Sequence, residues 1–208
     1  MKLIMENWRK YTINEAFFPS AISKEPTNIF SKWVQKYKQS TLGKKFIDLI
    51  NKYPDAYYFT HSIGTGSQRK RIKKFGGVPS IIKGIKEHGI LFHVHPNGGI
   101  RPFLFELGQG KQAVDNFFKA LMSSGSAKWL QDAPAIIIVK LPKSGNEGIM
   151  AGAKSLDEPG VEGAKEMAAK LMDKGAVKGA SKGVHGPNHV IPKEHVVAAI
   201  INGKFTYI

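Results

Sequence analysis

Residues 135–141 read Ala-Ile-Ile-Ile-Val-Lys-Leu. A run of strand length, nearly all apolar and rich in β-branched side chains, marks a strand buried inside a sheet. No other segment constrains the fold as strongly, because a buried strand obliges the rest of the chain to supply its neighbours. The means exist: 42% of the 208 residues are hydrophobic, enough for a core and too many for a disordered basic chain.

The flanking elements follow from periodicity. Residues 1–26 read as an arm, with Trp8, Tyr11, Phe17 and Phe18 among charges and with Pro19 and Pro26 interrupting. A helical region spans 27–56: Ile29, Phe30, Trp33, Val34 and Tyr37 form one stripe, and a second helix runs from Thr41 to Tyr53, stopped by Pro54. From 57 to 208 strands and helices mix. Tyr57–Ser62 is an aromatic strand, and a helix opening near Pro79 ends at Gly89. Ile90–His95 and Pro102–Leu107 read as strands, and Ala113–Leu121 as a helix. Residues 143–160 read as loop and 161–174 as helix. Val190-Ile191 is a short strand, Pro192 opens a last helix to Asn202, and Phe205–Ile208 is a terminal strand. There is no internal repeat. The expected class is α+β: a helical N-terminal region, then a mixed, mainly antiparallel sheet core with flanking helices.

Charge speaks to partners rather than to fold. The formal net charge is +15. Residues 1–60 hold ten basic against five acidic side chains, and residues 61–110 hold eight against two. Gln68-Arg69-Lys70-Arg71-Ile72-Lys73-Lys74 is the densest cluster, suited to a phosphate backbone or a dinucleotide's pyrophosphate; Arg101 is a further phosphate candidate. There is no cysteine, so disulfides, thiolate metal sites and a cysteine nucleophile are excluded. No run of eighteen apolar residues offers a membrane span, and the first residues are too short for a secretory signal.

At the N-terminus, Leu3-Ile4-Met5-Glu6 resembles the capsid-targeting peptides of large tailed bacteriophages, whose prohead protease cuts after Glu in Leu/Ile-x-Glu. Ile4 and Glu6 would then be the processing residues. The resemblance implies packaging in the phage head beside DNA, with delivery into the host cytoplasm; without it, a cytoplasmic protein is expected. Packaged DNA, the prohead protease and a host protein target are the implied partners, and no membrane is.

A second resemblance runs through Phe59-Thr60-His61-Ser62, Ile85–Ile90, Phe103-Leu104-Phe105, Ala113–Phe118, Ile136–Pro142 and Asn188-His189-Val190-Ile191-Pro192. This order of elements resembles the ADP-ribosyltransferase fold, over about 140 residues counted from the strand at Tyr57. It implies NAD as substrate and transfer of ADP-ribose to a host target. In such a site His61 would hold a ribose hydroxyl with Ser62 beside it. Phe105 would stack on nicotinamide, and Arg69, Arg71 and Arg101 would meet phosphates. The place of the family's glutamate is held by Asn188 or His189. Neither stabilises an oxocarbenium-like transition state as a carboxylate does, a contribution worth several kcal/mol, about 3 or more.

His93-Val94-His95-Pro96 supplies the third motif. Strand alternation puts both imidazoles on one face, as two ligands of one metal require. With Glu106 it resembles the JAMM metalloproteases, although Phe103 stands where that family has Ser. A zinc-dependent hydrolase, with His61 or Glu106 as third ligand, is one alternative reading. A non-enzymatic basic protein bound to packaged DNA is the other.

Overall fold

The computed structural model describes residues 35–64, 72–73, 75–95, 104–122, 133–173 and 186–208. The apolar run is β4 (Ala135–Leu141), and it lies at the centre of a five-stranded sheet. Its neighbours are β1 (Tyr57–Ile63) and β7 (Val196–Ile201). β3 (Phe105–Gln109) flanks β1, and β8 (Lys204–Tyr207) flanks β7. Every pairing in this sheet is antiparallel. The order explains the composition of β4: both of its faces are covered. Ile136 and Ile138 enter one core cluster, while Ala135, Ile137, Val139 and Leu141 enter another.

The first cluster is helical. Phe46, Leu49 and Ile50 from α1 (Thr41–Lys52) meet Ala113, Val114, Phe117 and Phe118 from α3 (Gly110–Met122) over Tyr58. Phe46 and Phe117 have ring centroids 4.3 Å apart. The Tyr58 hydroxyl is placed to donate to the carbonyls of Tyr53 (2.9 Å) and Leu49 (3.1 Å), which ties the end of α1 to the sheet. Lys38 meets Asp115 of α3 at 2.6 Å.

The second cluster lies between the large sheet and a small one. The small sheet has the order β2-β6-β5, all antiparallel: β2 is Ile90–Phe92, β6 His189–Ile191 and β5 Lys154–Ser155. Phe59 and Ile63 of β1 face Ile90 and Phe92 of β2 and Ile191 of β6 across this core. Ile82 and Ile85 of α2 (Gly77–His88) and Ile149 of α4 (Gly145–Ala151) join it. The outer face of the small sheet carries Leu91 and Val190, covered by Ala164 and Ala168 of α5 (Glu162–Asp173).

One glycine is essential to this joint. Gly89 ends α2 with φ of 89°, and a Cβ there would run into the Ile191 carbonyl of β6. At the hairpin between β7 and β8, Asn202 and Gly203 have φ of 48° and 76°, the left-handed pair that a tight two-residue turn favours.

The α+β class stands. Several elements differ from expectation, among them β2, which ends at Phe92, β3, which runs on to Gln109, and α3, which opens at Gly110. Residues 143–160 contain α4 and β5 rather than loop alone. The helix beginning near Pro79 starts two residues earlier, at Gly77. The segment after Pro192 makes only a 3-10 turn, Lys193–His195, before entering strand β7. Val-Val-Ala-Ala-Ile-Ile has no helical stripe to display. With β4 on one side and β8 on the other, its residues are apolar because both faces are buried.

Candidate functional site

β1 alternates cleanly. Tyr58 packs on the helical side, whereas Phe59 and Ile63 pack toward the small sheet. His61, midway between Phe59 and Ile63, therefore occupies the face toward the small sheet, and it is half-buried. Ser62 has the opposite parity and is 8% exposed.

On β6, Val190 faces α5, and Ile191 faces the core between the sheets. His189, two residues before Ile191, shares that inward face. It sits opposite Phe92, with ring centroids 5.7 Å apart. His61 and His189 thus stand on the two surfaces that face each other across one core.

Asn188 has a different employment. Its Oδ1 accepts the Val94 N–H at 2.8 Å, and its Nδ2 donates to the Val94 carbonyl at 2.9 Å. Its own N–H bonds the Phe92 carbonyl, and its carbonyl accepts from Leu156. His189 Nδ1 donates to the same Oδ1 at 3.0 Å. The amide thus extends the pairing of β2 and β6 beyond the last regular residue, and its oxygen and nitrogen are distinguished by that network.

Phe105 does not share the surface of His61. It pairs with Thr60 and packs against the helical cluster, on the opposite face of the sheet. Stacking on a ligand held by His61 is therefore not its role. The reason is one of register: adjacent strands present paired residues to the same face, and Thr60 is one residue out of phase with His61. Glu106, by contrast, pairs with Phe59 and lies on the His61 side. Its Oε2 accepts the Gly145 N–H at 2.9 Å at the start of α4. In the sequence Glu106 is legible only as a metal ligand, since its pairing with Phe59 is a matter of register that no motif displays.

His93 and His95 lie beyond β2 and follow its alternation. Ile90, Phe92 and Val94 belong to the core between the sheets, and Leu91 belongs to the outer face. His93 and His95 continue the outer row. Their ring centroids are 4.8 Å apart at 85°. His93 Nδ1 lies 2.9 Å from the Gly186 carbonyl and so carries the proton of that bond. His61 and Glu106 occupy the inner surface of the large sheet, so neither joins this pair as a third metal ligand. Among the described residues no group of three or more His, Cys, Asp or Glu is placed to hold a metal ion.

Arg69, Arg71, Arg101, Phe103, Ile4 and Glu6 lie outside the described residues, as does the basic cluster apart from Ile72 and Lys73. Among the described residues no helix is long and apolar enough to cross a membrane. No protein-family model, no curated protein and no solved structure matches the chain.

Proposed function

We propose that the chain is an ADP-ribosyltransferase-like protein, packaged in a phage head and delivered with its DNA, that engages NAD against the inner surface of its large sheet. The observation that carries this reading is the position of His61 and His189 on the facing surfaces of two antiparallel sheets. His61 supplies the hydrogen-bonding group for a ribose hydroxyl. Arg69 and Arg71 supply positive charge for the pyrophosphate. Asn188 is neutral and contributes no catalytic charge, and its amide is committed to Val94. The chain therefore binds the dinucleotide better than it turns it over, since developing positive charge on the ribose meets no carboxylate at 188 or 189.

The test is a thermal-shift titration with NAD on the parent and on His61→Ala. A rise in midpoint with NAD concentration, lost in the variant, is expected. No shift of the parent at millimolar NAD would end the transferase reading.

The net charge of +15 favours a second reading, a non-enzymatic protein bound to packaged DNA. It requires DNA affinity that falls steeply with salt and no response to NAD.

A further inference from the structure

We propose that the helical side of the large sheet carries a site for single-stranded nucleic acid. An unpaired base enters the cavity between α1 and α3, and Lys52, Lys111 and Lys140 meet the flanking phosphates. The site lies on the face of the sheet opposite His61, so it stands whether or not the chain engages NAD. It rests on the nucleic-acid reading of the net charge and gives that reading a place.

Lysines from separate parts of the chain converge here. Lys140 follows Ile136 and Ile138 in the alternation of β4, so it emerges on the helical side. Its Nζ lies 3.8 Å from the centre of the Tyr53 ring, and Lys52 Nζ, at the end of α1, lies 5.3 Å from the same centre. Pro54, the next residue, lines a cavity of about 390 Å³ together with Lys111 of α3. Lys38 lines it too, but Asp115 already holds that ammonium at 2.6 Å. Lys52, Lys111 and Lys140 form no ion pair among the described residues. Asp55, exposed beside Pro54, leaves the cluster net positive. Like charges gathered around one tyrosine and one cavity repel one another, and an anion seated among them removes that cost.

The cavity selects the form of the anion. Ile47, Ile50, Pro54 and Val114 make much of its lining apolar, and Asn51 adds an exposed amide. Small-ligand pockets begin at about 300 Å³, so the space suits a flat ring with polar edges. A bare phosphate would leave the apolar lining unfilled, and a duplex keeps its bases stacked out of reach. An unpaired base with its flanking phosphates satisfies lining and lysines together. The Asn51 amide, a donor and an acceptor, matches the edge of a base.

The experiment titrates the full chain into a fluorescein-labelled twenty-nucleotide oligothymidine, and into a duplex of the same length, at about 0.1 M NaCl, read by fluorescence anisotropy. The parent should bind the single strand about fivefold more tightly than the duplex. Lys111→Glu reverses a charge at the cavity, and Asn51→Trp fills the cavity with the charge unchanged. Both positions are exposed, so the fold tolerates either change. Each should weaken binding of the single strand about tenfold. Lys83→Glu, at an exposed position on α2, makes the same change of net charge away from the cavity and should cost less than about twofold. Equal losses in Lys111→Glu and Lys83→Glu, parent-like affinity in Asn51→Trp, or a duplex bound as tightly as the single strand would overturn the site while leaving the nucleic-acid reading in place. Binding of neither probe by the parent would end both.

Discussion

The amide of Asn188 clasps the backbone of Val94 from both sides, accepting its N–H at 2.8 Å and donating to its carbonyl at 2.9 Å. A side chain here does the work of a strand. Replacement by Ala leaves two backbone groups and the His189 ring without this partner, at a cost of about 1–3 kcal/mol for each buried polar group so stranded. Urea unfolding of Asn188→Ala should show a loss within that range. A variant as stable as the parent would return residue 188 to the list of groups available for chemistry.

His189→Glu tests the proposed transferase site by gain rather than loss. The position faces the same core as His61. A carboxylate there would supply the negative charge that a ribosyl cation requires. NAD consumption, followed by release of nicotinamide, is expected to rise at least tenfold over the parent. A variant that remains folded and inert would argue that residue 189 does not reach the reacting ribose.

Tyr58 gives the stability curve an alkaline edge. Burial, with a smaller contribution from Tyr53, pushes its hydroxyl well above the ordinary value of 10.0. The folded chain therefore keeps the proton where the unfolded chain releases it. Its stabilising contribution is complete below pH 10 and falls as the pH climbs above that value. Tyr58→Phe removes this dependence, and at neutral pH costs about 1–2 kcal/mol for its hydrogen bonds. Urea midpoints of parent and variant should converge as the pH is raised above 10. A constant gap would contradict the assignment.

Gly89→Ala is expected to be the most damaging single-methyl change at the joint between the sheets. It combines a φ of 89° with a collision against the Ile191 carbonyl. A left-handed alanine alone costs about 1–2 kcal/mol, and displacing β6 adds to it. Hydrogen exchange should quicken first in β2 and β6. Exchange unchanged there would mean the joint has slack that the close approach denies.

Legibility in the sequence tracked periodicity. Strand β4, helix α1 and the end of α2 at Gly89 each carry a local signal, and each lies where that signal puts it. β7 is not legible in the sequence, because an apolar run without a stripe fits a buried strand and a buried helix alike, and Pro192 reads as a helix start. At the candidate site, His61 sits on a strand as read. The face of Phe105 is not legible, because it depends on pairing with Thr60 in a strand some forty-five residues away. Asn188 was read as a vacancy in a motif; its bonds to Val94 join residues 94 positions apart.

The pairing of early strands with late ones sets a schedule for synthesis. β4 waits for β7, and β2 waits for β6. On the ribosome the chain can assemble α1, β1, β3, α3 and half of the central sheet, yet β4 keeps an open, sticky edge until β7 emerges. Such long-range closure is slow and exposes the nascent chain to aggregation. The hairpin turn at Asn202-Gly203 is therefore more than a corner. It lets β7 arrive already paired with β8, so the two strands enter as a finished ribbon that seals β4.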